Sequence, residues 1–307
     1  MSKLAHILKI LLGLLFIVSA ILKIVGIDQF ELYVYSYHFF SLNASFIIAR
    51  IAIILELVLG IGLVINRFHK LIWWSSVIML AAYTGLMVYA LILGRTDNCH
   101  CFGELLKFNP WQSLIKNVVL LALFALIYKV EERASKHKVL LLTGIVIGCT
   151  AAVFFVSPPD NLIYYEDPMF DYIEHNEFEH LMQTPPLDST DIKKGKKLVG
   201  IFSSSCEYCM LAAKKVSLMQ EQIGFPDESV LYVFMGSEES VDNFFIESES
   251  KPFPYVLYED YVYLLRITGG NFPIIVLLDN GKIVKEYDLR RINENYIKAF
   301  FENTNEP

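Results

Sequence analysis

Apolar residues are concentrated in five long stretches in the first half of the 307-residue chain. The stretches span residues 4–25, 46–65, 71–93, 112–129 and 139–156. Each of them comes near the roughly 20 apolar residues that a helix needs to cross a lipid bilayer. The pattern therefore predicts five membrane-spanning helices rather than the core helices of a soluble protein.

The second half of the chain changes to short apolar runs that alternate with amphipathic ones, the pattern of an α/β domain. The predicted elements are strand 196–202, helix 206–222, strand 229–236, helix 238–248, strand 272–279, strand 282–288 and helix 293–303. The dipeptide Asn280-Gly281 between the last two strands predicts a tight hairpin turn.

Composition and charge divide the chain at the same place. Hydrophobic residues make up 54% of it and charged residues only 19%, which favours a membrane protein. Residues 1–156 carry 13 of the 26 basic and 7 of the 33 acidic residues, so the remaining 13 basic and 26 acidic residues lie in 157–307. Because so acidic a domain would repel phosphates, nucleic acid is not an expected partner.

Basic loops predict the orientation of the helices. The segments at 66–70 and 129–138 are basic, as is the amino terminus with Lys3 and Lys9, so these parts are expected in the cytoplasm. The loops at 26–45 and 94–111 and the whole acidic domain are then expected outside. We expect an uncleaved signal anchor at the amino terminus and a location in a bacterial cytoplasmic membrane.

Four parts are predicted along the chain. Residues 1–130 form a four-helix transmembrane domain, and 139–156 form a fifth transmembrane helix. Residues 157–196 form an acidic, proline-containing linker, and 197–303 form an extracytoplasmic α/β domain.

The outer domain contains a C-x-x-C dithiol, Cys206 and Cys209, directly after a predicted strand. Unpaired N–H groups and the dipole at the helix amino terminus favour a thiolate at Cys206. The Glu207 carboxylate should oppose this effect. A structural disulfide and half of a zinc site are alternatives, but no second C-x-x-C or H-x-H supplies the other zinc ligands. The arrangement favours redox chemistry.

The strand that ends at this dithiol, the helix that begins there and the loop "GGNFP" at 269–273 resemble the thioredoxin fold over about 197–303. The resemblance implies that Cys206 attacks disulfides, that Cys209 resolves them, and that Pro273 follows a cis peptide bond beside the dithiol. The central pair Glu207-Tyr208 departs from the usual residues, which leaves the direction of electron flow open.

The first four helices resemble the DoxX/MauE membrane family over about 4–130. The resemblance is carried by "LLGLLFIVSAILKI", "ARIAIILELVLGIGLVI", "CHCFG" and "WQSLIKNVVLL", in that order. It implies a four-helix bundle linked to the maturation of disulfide-containing envelope proteins or to quinone-linked redox chemistry.

A second dithiol, Cys99 and Cys101, lies in the loop after the third apolar stretch. A disulfide between cysteines one residue apart closes a tight ring, and strain makes it easier to reduce. Electron exchange is therefore favoured over a structural role. Copper or zinc bound by Cys99, His100 and Cys101 is the alternative.

Glu56 is an acidic residue near the middle of the second apolar stretch, where a charge is costly and needs a partner. Lys23, Arg50 and Lys116 are the basic candidates, and Arg50 could instead extend to the outer interface. A structural role for Glu56 and a proton or quinone site are equally compatible with the sequence. No cofactor is firmly expected, and a quinone is the one candidate.

These features together predict a membrane-bound thiol–disulfide oxidoreductase that acts on extracytoplasmic proteins with thiols or disulfides. The two dithiols would exchange electrons with each other. One alternative is a membrane-anchored module that binds or delivers a metal through cysteine ligands. Another keeps the helical bundle as an inert anchor for an active outer domain.

Overall fold

A computed structural model of the chain describes residues 2–95, 98, 108–130, 138–160 and 172–302. The contacts between residues divide the chain into two compact units. The first comprises Met1–Tyr37 and Ala44–Pro159, and the second comprises His38–Asn43 and Asp160–Pro307. Each unit is described separately below.

The first unit is built from long apolar helices. Its described helices are α1 (Ser2–Val25), α2 (Ile27–Tyr35), α3 (Leu42–Ile65), α4 (His69–Ile92), α5 (Pro110–Ile127) and α6 (Lys138–Val156). All of these except α2 are long and apolar enough to cross a membrane, which confirms the five predicted spans. The sequence did not predict α2, because this nine-residue helix is short and mixes charged with aromatic residues.

Helices α1 and α3 approach each other closely at two glycines. A Cβ atom added at Gly13 would lie 2.8 Å from the Gly60 carbonyl oxygen, and one added at Gly60 would lie 2.8 Å from the Gly13 carbonyl oxygen. Small residues at a helix crossing let the two backbones pack directly, which is a common way to join helices in a bilayer.

The second unit contains a five-stranded sheet between layers of helices. Its main elements are α7 (His175–Leu181), β1 (Lys196–Ser203), α8 (Glu207–Ile223), β2 (Val230–Met235), α9 (Glu238–Ser248), β3 (Tyr255–Leu257), α10 (Tyr261–Ile267), β4 (Ile274–Asp279), β5 (Lys282–Tyr287) and α11 (Glu294–Glu302). The strand order is β3-β2-β1-β4-β5. The pairs β1/β2 and β2/β3 are parallel, and β1/β4 and β4/β5 are antiparallel.

This topology is thioredoxin-like, and it confirms the predicted fold class of a transmembrane helical part followed by an α/β domain. Strand β1 is central, and its last six residues are buried. The predicted hairpin turn also forms, with positive φ angles of 48° at Asn280 and 78° at Gly281. Asn-Gly suits such a turn because both residues tolerate the left-handed region.

The segment predicted as a linker is folded in its second half. Phe178 and Leu181 of α7, together with Leu187 and Ile192, are buried in the hydrophobic core on one face of the sheet. Its prolines and acidic residues indicated an irregular lead-in, but apolar residues spaced between them supply enough buried surface to fix 173–192 on the sheet. The short helix α10 and the edge strand β3 were also not predicted.

Candidate functional site: a dithiol at a helix amino terminus

Cys206 lies at the junction between the central strand and a helix. Strand β1 ends at Ser203, and Cys206 is the residue that caps α8, with an extended backbone (φ −93°, ψ 115°). The Cys209 backbone N–H donates to the Cys206 sulfur at 3.3 Å. The same N–H lies 3.0 Å from the Cys206 carbonyl oxygen. The sulfur therefore accepts a hydrogen bond that a helix amino terminus leaves available.

The two sulfurs of the dithiol have different environments. Cys206 is half-buried and reaches solvent, whereas Cys209 has no exposed surface. No disulfide joins them in this structure. A partner molecule can therefore reach Cys206 but not Cys209.

Hydrogen bonding lowers the pKa of Cys206 from 9.0 to about 6. The largest cause is the Cys209 thiol, which donates to the Cys206 sulfur, and the backbone N–H groups of Cys209 and Tyr208 add to it. Partial burial opposes the shift because it disfavours the charged thiolate. A large fraction of Cys206 is consequently a thiolate at neutral pH, which is the nucleophilic form of cysteine.

Burial raises the pKa of Cys209 far above its usual range. Donation of its hydrogen to Cys206 and repulsion from the Cys206 thiolate act in the same direction. Cys209 thus remains a thiol while Cys206 is a thiolate. The pair therefore contains one nucleophilic thiolate, Cys206, and one buried thiol, Cys209.

Glu207 opposes the thiolate, as the sequence predicted. Its negative charge raises the pKa of Cys206, but this effect is smaller than those of the hydrogen bonds and of burial. Glu207 itself is exposed. Solvent screening of an exposed carboxylate explains why hydrogen bonding outweighs it.

Pro273 lies in the loop before β4. The Phe272–Pro273 peptide bond is cis, as the resemblance implied. Pro273 and Tyr208, which stands between the two cysteines, line the same groove. The other side of this groove consists of residues 288–291 after the last strand, which were not predicted as part of the site. The charged run "DLRR" was a signal, but nothing in the sequence alone placed it beside the dithiol.

A serine contact holds the turn that carries Cys206. Ser204 is buried, and its hydroxyl lies 2.8 Å from the Ser240 hydroxyl of α9. The Ser204 backbone N–H donates to the Met235 carbonyl oxygen at 3.1 Å. The turn between β1 and α8 is thereby fixed to the end of β2 and the start of α9.

In the first unit, Glu56 is paired inside the helical bundle. Lys23 donates to one of its carboxylate oxygens, and the Ser19 hydroxyl donates to the other at 3.0 Å. Both charged side chains are 3% exposed. A buried charge in a membrane needs such a partner, so this pair links α1 to α3.

The cavity beside Glu56 has a volume of about 20 Å³ and is also lined by Lys116 and Asn117. This volume suits one water molecule, and a quinone ring is several times larger. The described residues around Glu56 therefore do not fit a quinone, and this candidate cofactor has no support from the geometry.

Arg50 is also buried and paired in the first unit. Its side chain is 2% exposed and donates to Glu31. It also donates to the carbonyl oxygens of Ser157 and Pro158 at 2.8 Å each. These contacts fix the end of α6 to α2 and α3 within the first unit. Carbonyl acceptors after a helix carry no sequence signal, which is why this role was missed.

The predicted second dithiol, Cys99 and Cys101, lies outside the described residues, as does His100. Its participation stays a prediction.

Comparison with known proteins gives relatives for both units. Residues 1–129 match the family model of the methylamine utilisation protein MauE. Protein TlpB of Flavobacterium psychrophilum is 27% identical, over 94% of this chain and 92% of that protein. The methylamine utilization protein MauE of Paracoccus denitrificans is 26% identical, over 49% of this chain and 82% of that protein.

Two solved structures align with part of the chain. One is the thioredoxin domain of a thiol-disulfide oxidoreductase from Bacteroides vulgatus, with 23% identity, a TM-score of 0.31 and coverage of 36% of this chain and 83% of that chain. The other is a thiol:disulfide interchange protein from Bacteroides sp., with 22% identity, a TM-score of 0.29 and coverage of 38% and 79%.

The spanning helices, the thioredoxin-like domain and its asymmetric dithiol define a multi-pass membrane protein of the thiol–disulfide oxidoreductase class. Such enzymes generally need no cofactor, because the two sulfurs themselves carry the electrons. More particularly, residues 1–129 are similar to the MauE family. The whole arrangement is similar along nearly its full length to TlpB.

The lowered pKa of Cys206 predicts how its reactivity depends on pH. In a Cys99→Ser/Cys101→Ser background, alkylation of Cys206 by iodoacetamide should have a midpoint near pH 6, because the thiolate is lost as the pH falls through about 6. Cys209 should stay unmodified in the folded protein. Mass spectrometry of the labelled peptide measures both.

Glu207→Gln removes a charge that raises this pKa, so the alkylation midpoint should move to lower pH. Glu247→Gln, which changes an exposed carboxylate on α9, is the matched control and should leave the midpoint unchanged. A midpoint close to the ordinary thiol value of 9.0 would contradict this description of the site.

Proposed function

We propose that this protein catalyses thiol–disulfide exchange on proteins outside the cytoplasm, with Cys206 as the attacking sulfur and Cys209 as the resolving sulfur. The observation that carries the proposal is the asymmetry of the pair: an accessible sulfur with a lowered pKa beside a fully buried thiol. A structural disulfide does not require its two sulfurs to differ in pKa and exposure.

The proposed exchange has two balanced steps. The Cys206 thiolate attacks one sulfur of a client disulfide, which forms a mixed disulfide and releases one client thiolate. Cys209 then loses its proton and attacks the Cys206 sulfur. This step forms the Cys206–Cys209 disulfide and releases the second client thiolate, so the client gains two electrons and the protein loses two.

The same steps run in reverse when the protein begins as a disulfide and the client as a dithiol. A thiolate with a lowered pKa is a better leaving group and stabilises the reduced protein, so the disulfide becomes more oxidising. Hydrogen bonds to Cys206 therefore favour disulfide donation, and the exposed charge of Glu207 works weakly against it.

In this proposal, the domain of residues 197–303 lies on the outer side of a bacterial cytoplasmic membrane. Support comes from the charge pattern, since the basic segments at 66–70 and 129–138 are expected in the cytoplasm. An odd number of spans then carries the chain from a cytoplasmic amino terminus to an outer carboxyl terminus.

We further propose that Cys99 and Cys101 exchange electrons with Cys206 and Cys209. The loop at 94–111 is expected on the same side as the thioredoxin-like domain, and a disulfide in a C-x-C sequence is strained and easily exchanged. In this step one cysteine pair becomes reduced as the other forms its disulfide, so no further reactant is required. No step through a quinone is proposed.

The roles of the two cysteines can be tested by counting the thiols that a single turnover releases from a disulfide-bonded peptide. In a reduced Cys99→Ser/Cys101→Ser protein, each molecule should release two peptide thiols, because Cys209 completes the reaction. With Cys209→Ser added, one thiol should be released and the peptide should stay attached to Cys206. With Cys206→Ser, no thiol should be released.

Mass spectrometry of the acid-quenched protein identifies the attached peptide. Cys149→Ala is the control, because this cysteine lies in α6 and should not affect the count. Attachment of the peptide to Cys209 in place of Cys206 would contradict the assigned roles.

The proposed relay, which is electron exchange between the two cysteine pairs, predicts a change in the redox state of Cys206 and Cys209 in living cells. Acid trapping followed by thiol labelling should show that Cys99→Ser/Cys101→Ser alters the oxidised fraction of Cys206 and Cys209. Cys149→Ala should leave that fraction unchanged. An equal oxidised fraction in all of these strains would overturn the relay but not the thiol count above.

A further inference from the structure

A groove of about 450 Å³ in the second unit is lined in part by Tyr208, the residue directly before Cys209. Its apolar lining also contains Phe272, Pro273, Ile274 and Leu289. The last three of these are buried and Phe272 is half-buried, whereas Tyr208 is 57% exposed. The Tyr208 ring is therefore the part of this apolar lining that a client reaches most easily.

Tyr208 lies next to the reactive sulfur. Its backbone N–H donates a hydrogen bond to the Cys206 sulfur. Consecutive Cα atoms are about 3.8 Å apart, so the Cα atoms of Cys206 and Tyr208 are at most about 7.6 Å apart. In a mixed disulfide, the Cα atom of the client cysteine lies roughly 4.4–6.8 Å from that of Cys206. The residues that flank the client cysteine are therefore held within reach of the Tyr208 ring.

The Tyr208 side chain has no partner in the domain. Within the part of the chain that the structure describes, it forms neither a hydrogen bond nor a ring contact. Covering an exposed ring with another apolar surface is favourable, because it removes apolar area from water. The packing of the domain does not require an aromatic residue at this position, whereas contact with a client would use one.

The polar residues of the groove are bonded within the domain instead. The Asp288 carboxylate accepts hydrogen bonds from the backbone N–H groups of Arg290 and Arg291 at 3.0 and 2.9 Å, and it pairs with the Arg291 guanidinium at 2.7 Å. Arg290 donates to the Asp160 carboxylate at 2.9 Å. Since these polar groups already have partners and the Tyr208 ring has none, the lining favours an apolar occupant over a charged one.

We propose that the groove binds an aromatic side chain that flanks the reactive cysteine of the client, and that the Tyr208 ring determines this specificity. The inference rests on the proposed function, because it names the substrate class of the same site. An aromatic side chain suits the groove better than an aliphatic one, since two rings attract each other beyond what burial of their area supplies. Phe272 provides a second ring in the same lining.

The test uses three disulfide-bonded peptides with Phe, cyclohexylalanine or Ala beside the cysteine. Their reduction by the full-length Cys99→Ser/Cys101→Ser protein in detergent, the parent protein, is followed by stopped flow. The second-order rate constant for the Phe peptide should exceed that for the Ala peptide by about twofold to tenfold, as for one pair of rings. Cyclohexylalanine, which is apolar and of similar size but not aromatic, should give an intermediate rate constant.

Tyr208→Ala should reduce the Phe-to-Ala ratio of rate constants at least to half, and Tyr208→Phe, which keeps the ring, should retain it. Tyr296→Ala is the matched control and should keep the parent ratio, because this tyrosine is 38% exposed on α11 and does not line the groove. Comparing ratios between proteins removes the intrinsic reactivity of each peptide and any change in the reactivity of the sulfur.

The outcomes separate the two proposals. An equal Phe-to-Ala ratio in the parent protein and in Tyr208→Ala, or equal rate constants for the Phe and cyclohexylalanine peptides, would overturn the specificity and leave the proposed function standing. Absence of reaction of the parent protein with every peptide and with neutral 2-hydroxyethyl disulfide would overturn the proposed function itself.

Discussion

The hydrogen bonds that converge on the Cys206 sulfur determine the reactivity of the dithiol. They exist because the central strand delivers Cys206 to the first position of α8, where backbone N–H groups have no partner within the helix. Burial of Cys209 completes the arrangement, since its thiol can then donate only inward, to Cys206. The lowered pKa of Cys206 thus follows from a junction of secondary structure.

The membrane part satisfies a different constraint, the cost of polar groups in hydrocarbon. Glu56 with Lys23 and Arg50 with Glu31 are buried as pairs, so each charge is compensated by a partner and by further hydrogen bonds. These contacts join helices within the first unit, while Gly13 and Gly60 let α1 and α3 approach. The bundle leaves only a small cavity, of about 20 Å³, beside Glu56.

Local signals made much of the fold predictable. Apolar length located the spanning helices, alternation located the longer strands, and the C-x-x-C position placed the dithiol at a helix start. Elements whose stability comes from tertiary packing were missed: α7 is held by Phe178 and Leu181 against the sheet, and β3 has three residues. The groove was missed for the same reason, since residues 272–273 and 288–291 line it together only in the folded domain.

The reduction potential of the Cys206/Cys209 pair in the full-length protein distinguishes a redox-active dithiol from a structural disulfide. Equilibration with glutathione buffers, followed by thiol labelling, should give a reversible two-electron transition between roughly −120 and −270 mV, the range of redox-active thioredoxin-like dithiols. A pair that stays oxidised throughout these buffers, with a potential below roughly −300 mV, would be a structural disulfide and would contradict a redox role for Cys206 and Cys209.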